Sequence, residues 1–264
     1  MDLGIKGRRA IVTGGSRGIG YEAAKRFLEE GARVFICARG AEALEETRES
    51  LAKETGGEVV ALQADTSQEG SAQKIVDAAV AAFGGVDILV NNAGEMSSGR
   101  FDVLTDEGLQ TQLDTKLFGF VRMIRAAVPH MKKGGWGRII NMIGGAGKEP
   151  DPYMFVSGMT NSALLNLTKS LSEELGEAGI HVNAVCPGWV DTNLWQRNAQ
   201  GLQEEFKAES EEEARRRAQR RNALNRFGKP EELADAIAFL CSERASYITG
   251  VSLNLDGGRL KSLW

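Results

Sequence analysis

The sequence predicts an α/β fold, a doubly wound parallel sheet with helices on both faces. Three observations carry the prediction. Short, near-continuous apolar runs alternate with longer stretches of helical periodicity along the whole chain. The first run, Ala10-Ile11-Val12, leads into Thr13-Gly14-Gly15-Ser16-Arg17-Gly18-Ile19-Gly20 and then into an amphipathic helix. The chain has 264 residues, 42% hydrophobic and 26% charged, which suits one large domain with a sizeable core.

In chain order, the helix after the glycines sets Ala23, Ala24, Phe27 and Leu28 on one face and Glu22, Lys25, Glu29 and Glu30 on the other. Glycines let the backbone turn sharply and let a pyrophosphate approach. The free N–H groups and positive dipole end of the helix then face the phosphates, so this stretch is read as nucleotide-binding. Further strands are expected at 33–38, 58–63, 88–91, 137–142, 181–186 and 252–256. Helices are expected at 41–55, 67–83, 106–131, 158–175 and 231–241. No internal repeat and no Pro- or Ser-rich linker divides the chain, so residues 1–264 are read as one domain. Segment 193–226 is different. It is polar, with Glu211-Glu212-Glu213 followed by Arg215-Arg216-Arg217 and Arg220-Arg221. Acid three or four residues before base suits an exposed helix with a solvated face. Its place after the nucleotide-binding core also suits a lid over a substrate pocket.

The formal net charge of −4 gives no electrostatic argument for nucleic acid or an anionic membrane. No apolar run is long enough to span a bilayer, and no signal-peptide core is present at the N-terminus. Cys37, Cys186 and Cys241 are odd in number, far apart and set in apolar segments. They read as reduced core thiols of a cytoplasmic protein. His130 and His181 have no metal-ligand spacing with each other or with the cysteines, so no metal is expected.

Further motifs follow the glycine turn in order: Asn91-Asn92-Ala93-Gly94, Pro187-Gly188-Trp189-Val190-Asp191-Thr192, and Tyr247-Ile248-Thr249-Gly250 before Asp256-Gly257-Gly258. From about residue 7 to 258 the chain resembles a short-chain dehydrogenase/reductase of the compact type that includes 3-oxoacyl carrier-protein reductases. The resemblance implies a Rossmann-type, seven-stranded sheet binding a nicotinamide dinucleotide at the C-terminal edges of its strands. Gly14, Ser16, Arg17, Gly18, Ile19 and Gly20 then hold the pyrophosphate. Asp65, with Thr66 beside it, matches the acceptor for the adenine amino group. Asn91, Ala93 and Gly94 match the wall beside the adenosine ribose, while Asn92 serves either that wall or only the turn. Pro187, Gly188, Val190 and Thr192 match the loop holding the nicotinamide amide. An NAD-selective site places an acid at the end of the second strand. This strand ends Cys37-Ala38-Arg39, and Arg39 with Arg17 suits a 2′-phosphate, so the expected cofactor is NADP(H).

At the chemistry the chain departs from the family pattern of serine, tyrosine, lysine and asparagine. The tyrosine there is the acid–base, the lysine lowers its pKa and the serine binds the substrate oxygen. Anchored without gaps on Leu167-Thr168-Lys169, the serine position falls on Gly144, the tyrosine on Ser157, the lysine on Asn161 and the asparagine on Lys116. Tyr153 fills the tyrosine role only if a gap is opened, and Ser157 rather than a lysine then stands four residues on. Without the gap, Tyr153 lies at the mouth of the site, packing or stacking on substrate. Lys116 is the candidate donor replacing the missing lysine from the opposite helix, its pKa lowered by partial burial. Trp189, Leu194, Trp195 and Phe155 are candidates for the substrate pocket or for core packing. Three readings stand. The first is an NADP-dependent oxidoreductase acting on a small-molecule carbonyl, alcohol or enone with a rewired proton donor. The second is a lyase or hydrolase on the same fold using Lys116 and Ser157, and the third is a non-catalytic NADP-binding protein. The resemblance also implies a homotetramer, with a dimer as runner-up, packed through 106–131 and 158–175 and drawing on Met159, Leu164, Leu167 and Leu171.

Overall fold

The computed structural model describes residues 2–94, 99–192 and 199–262. Seven strands form one sheet in the order β3-β2-β1-β4-β5-β6-β7, every neighbouring pair parallel. They are β1 (Arg9–Thr13), β2 (Arg33–Ala38), β3 (Val59–Gln63), β4 (Ile88–Asn91), β5 (Gly137–Met142), β6 (Ile180–Pro187) and β7 (Ser252–Leu255). Because neighbouring side chains of a strand point to opposite faces, each apolar run feeds two cores. Ala10, Val12, Val34, Ile36, Ile88 and Val90 pack on one face with α1 (Gly18–Glu29), α2 (Ala41–Thr55) and α9 (Pro230–Leu240). Ile11, Phe35, Leu89, Ile139 and Val182 pack on the other with α3 (Ser71–Phe83) and α5 (Gly119–Gly134). Partly buried Leu167 and Leu171 of α6 (Phe155–Leu175) join this second core. The doubly wound, Rossmann-type arrangement is therefore present as expected.

The expected ends at 33–38, 41–55, 88–91 and 137–142 coincide with the observed elements. The expected helix 67–83 starts later, at Ser71, because residues 65–67 form a turn in which Asp65 Oδ1 accepts from Ser67 N at 2.9 Å and Ser67 Oγ at 2.8 Å. The expected helix 106–131 is not uniform. It runs as α4 (Asp106–Gln112), a π-helical turn at Leu113–Phe118, and α5. At the junction the Gly119 backbone lies close to β3's loop, where a Cβ would sit 3.3 Å from Thr66 O. Periodicity read over the whole stretch marks both flanking parts as helix and does not separate the short π turn between them.

The 193–226 segment is more than a solvated face. Among its described residues, α7 (Ala199–Phe206) and α8 (Glu211–Arg220) bury Leu202, Phe206, Ala214 and Ala218 with Phe227, and Trp189 packs against them. The expected acid–base pairs are there: Glu212 with Arg216 at 3.3 Å, and Glu213 with Arg217. Two other arginines pair differently: Arg215 reaches out of the segment to Asp191 at 2.9 Å, and Arg221 pairs with buried Glu205 of α7 at 3.1 Å. The three cysteines are free and buried. Burial pushes the Cys37 thiol up to about 12 and that of Cys186 to about 11, so neither is a nucleophile at neutral pH.

One glycine of the β1–α1 turn is dictated by packing. A Cβ on Gly20 would lie 2.3 Å from Gly14 O and 2.5 Å from Asn92 Nδ2. Gly20→Ala is expected to destabilise the fold by roughly 1–3 kcal/mol through overpacking against backbone. Denaturant unfolding measures this directly, and an unchanged midpoint would contradict the close approach.

Candidate active site

The C-terminal ends of the strands open into a cleft of about 800 Å³ at the switch point between β1 and β4. Its first wall is the β1–α1 turn. Gly14 takes φ +65°, and a Cβ there would meet Ala93 Cα at 3.0 Å, so the turn packs backbone to backbone on the end of β4. Asn92 Nδ2 ties the two together by donating to Thr13 O at 3.0 Å and Gly14 O at 3.2 Å. Ser16, Arg17, Gly18 and Ile19 line the cleft beyond. Arg17 and Arg39, both exposed at its rim, stand where β1 and β2 end. Asp65 and Thr66 complete that end.

The opposite wall comes from the loop after β6. Pro187, Gly188, Trp189, Val190 and Thr192 all line the cleft. A Cβ on Gly188 would fall 2.7 Å from Asp256 Cα, and Gly188 N donates to Leu255 O at 3.0 Å, so β7 fixes the base of this loop. Its far end reaches the glycine turn: a Cβ on Gly18 would meet Thr192 Cγ2 at 3.2 Å.

Between these walls the structure brings Lys116, Gly144, Ser157 and Asn161 together on one lining. Lys116 comes from the π-helical turn and the other polar pair from the first turns of α6. Ser157 and Asn161, at i and i+4, share one helix face and are 4% and 2% exposed. Asn161 Nδ2 donates to Gly144 O at 3.1 Å, in the space where a Gly144 side chain would begin. Asn161 Oδ1 is buried with no partner among the described residues. Lys116 is half-buried, its stem passing Gly94, and desolvation of the ammonium pushes its pKa down to about 8 against a small opposing effect of Cys186.

Several expected site residues are not in the cleft wall. Gly20 is buried behind the turn. Asn91 is fully buried and donates to Asn141 Oδ1 at 3.0 Å, while Asn141 donates to Thr168 Oγ1 at 3.0 Å. This chain of bonds ties β4, β5 and α6 and is structural. Tyr153 precedes α6 with its ring toward Arg100, 5.9 Å away, and does not line the cleft. Phe155 packs on Phe101 at 5.5 Å between ring centres. Leu194 and Trp195 lie outside the described residues. Conversely, Thr115, Met142, Gly145, Ala146, Met154 and Arg259 line the cleft without having been anticipated. Arg259 directly follows Asp256-Gly257-Gly258, and that adjacency was the available signal.

No three histidine, cysteine or acidic side chains gather to hold a metal ion among the described residues, and no helix there is long and apolar enough to cross a membrane.

A family model described as enoyl-(acyl carrier protein) reductase matches residues 14–259. The chain is 34% identical to a 3-oxoacyl-[acyl-carrier-protein] reductase of Chlamydia muridarum over 98% of its own length and 99% of the relative's. It is 32% identical to an NADPH-dependent reductase of Bacillus subtilis, over 97% and 99% of the two chains. The solved structure of L-sorbose reductase from Gluconobacter frateurii, complexed with NADPH and L-sorbose, superposes with TM-score 0.93 at 34% identity, covering all of both chains.

Proposed function

Since the chain belongs to the short-chain dehydrogenase/reductase family, we propose that it is an NADP(H)-dependent oxidoreductase of a small carbonyl, alcohol or enone, with Lys116 in place of the usual proton donor. The observation that carries this reading is convergence. Lys116, Ser157 and Asn161 line the same cleft as Gly14, Arg17 and Arg39. The residues present fit the dinucleotide. Two exposed guanidiniums suit a 2′-phosphate, the close-packed glycine turn leaves room for a pyrophosphate, and the unpartnered Asn161 Oδ1 awaits a donor such as a ribose hydroxyl. Bound NADP(H) supplies or accepts the hydride.

In the reductive direction the protein must hold the carbonyl oxygen and provide a proton or positive charge as negative charge develops there. Ser157 donates a hydrogen bond to that oxygen but is a poor acid. Lys116, with its pKa near 8, is charged over most of the neutral range and is the ionisable group best matched to deliver the proton. Asn161, held by Gly144 O, presents Oδ1 to the ribose or to a water. The fit of Asn161 into the space left by Gly144 supports an adapted site over simple loss of function. Segment 193–226, with its own small core on Trp189, is proposed to cover the substrate. NADPH titration followed by a screen of ketones, aldehydes and enones for loss of NADPH absorbance tests the assignment. Tight NADPH binding with no turnover on any class would overturn it in favour of a non-catalytic binding protein.

The assembly proposed is a homotetramer, with a dimer as the runner-up. Of the four residues expected at its interface, Leu164 is buried and Leu167 and Leu171 pack inward, leaving Met159 50% exposed. Phe101 at 79%, Val103 at 69% and Phe118 at 42% supply further exposed apolar surface. Light scattering at micromolar concentration is expected to give a multimer, and a monomeric mass would contradict it.

A further inference from the structure

We propose that Arg259 anchors a carboxylate on the substrate, so that the compound handled at Ser157 and Lys116 is an oxo acid or the corresponding hydroxy acid. The inference rests on the oxidoreductase reading above and names its substrate class. Arg259 lines the cleft, and its side chain is 16% exposed. It is set there by a rigid turn. Asp256 carboxylate oxygens accept from Gly258 N at 2.9 Å and Leu260 N at 2.8 Å, and Gly257 and Gly258 both take positive φ. Leu260 packs on the loop after β5, where a Cβ on Gly145 would lie 3.1 Å from Leu260 Cδ2. On its other side the guanidinium lies 5.3 Å from the centre of the Trp189 ring. Arg259 thus sits between the Gly144 loop and the loop after β6, the two segments that flank the proposed reaction site.

A guanidinium carries five N–H donors and is expensive to enclose without acceptors. Among the described residues its nearest carboxylate is Asp151, at 3.9 Å, beyond hydrogen-bond range. Asp151 Oδ1 accepts from Tyr153 N at 2.9 Å and its carbonyl from Met154 N at 3.0 Å, shaping the entry to α6, so that only Oδ2 is turned to Arg259, in a long ion pair. Glu205 lies near enough to feel Arg259, but its hydrogen-bonded partner is Arg221, at 3.1 Å. The charges of Asp151 and Glu205 hold Arg259 in place, and neither carboxylate accepts a hydrogen bond from its fork. A planar fork on an aromatic face, inside a cleft, is matched by a carboxylate taken bidentate.

The test is NADPH oxidation with 2-oxobutanoate, acetoacetate and 4-oxopentanoate, each beside its methyl ester, and with dihydroxyacetone phosphate. In parallel, tryptophan fluorescence follows binding of the matching hydroxy acids and their esters to the NADP⁺-saturated protein. The unaltered protein is expected to prefer at least one acid over its ester by about tenfold or more in kcat/KM, the preference falling to near parity in Arg259→Gln with most of the change in KM. Arg259→Lys, which keeps the charge and loses the fork, is expected to fall between, and it decides the matter if the glutamine variant does not fold. The binding arm shows the same acid preference even if no carbonyl is turned over, which separates this proposal from the redox reading. No acid preference in either arm, a preference that survives Arg259→Gln, or a preference for dihydroxyacetone phosphate would overturn it.

Discussion

Replacing Lys116 by methionine is expected to lower turnover by about two to four orders of magnitude, the range for a lost acid–base group, while NADPH affinity stays within a few-fold. The reason lies in placement. Lys116 comes from the π-helical turn, its stem packed on Gly94, whereas Arg17 and Arg39 stand at the ends of β1 and β2. Methionine keeps that stem and removes only the ammonium. A second readout separates function from structure. The Lys116 pKa is lowered to about 8 in the folded protein, against about 10.4 in an unfolded chain. The folded state therefore binds this proton less well, and the group detracts from stability below pH 8, a loss relieved as pH rises from 8 towards 10.4. Lys116→Met should unfold at a higher temperature at neutral pH while losing turnover. A structural lysine would show the opposite sign. Tyr153→Phe is expected to cost little, because that side chain faces Arg100 outside the cleft wall.

The second large effect concerns the cofactor. Arg17 and Arg39 stand exposed at the rim, and Gln63 Nε2 fixes the Arg39 carbonyl at 2.9 Å. A charge-assisted bond of this kind contributes roughly 1.5–3 kcal/mol, so NADPH is expected to bind about 10- to 100-fold more tightly than NADH. Arg39→Asp removes one partner of the phosphate and adds a repelling charge, and should reverse the preference. Titration of both dinucleotides against both proteins measures this, and equal affinities in the unaltered protein would contradict the assignment.

Much of the fold was legible because buried parallel strands read as continuous apolar runs and their helices as amphipathic stripes. Phe27 and Leu28 went inward on α1, and Ile11 and Val12 went to opposite cores, as their spacing requires. The glycine-turn wall of the cleft was legible for a related reason: a strand, a glycine turn and a helix are contiguous in sequence. Legibility failed where contacts are tertiary. Nothing local marks Asn91 as a structural donor to Asn141, because the two meet only through sheet pairing. The π-helical turn that carries Lys116 is short and lies between two helical stretches, so no local residue pattern sets it apart. Arg259 enters the cleft only because β7 returns beside β6. The small core of α7 and α8 needed Trp189 and Phe227 from either side, so the charge pattern alone pointed outward.

The proton proposed to come from Lys116 is tested most directly by the pH dependence of the reductive reaction, measured for the unaltered protein and Lys116→Met side by side. On that proposal the protonated ammonium is the working form. Turnover of the unaltered protein should hold level below pH 8 and then fall about tenfold per unit above it, with the inflection absent from the methionine variant. The same inflection in both proteins, or a fully active Lys116→Met beside an inactive Tyr153→Phe, would contradict the assignment and return the proton to the tyrosine.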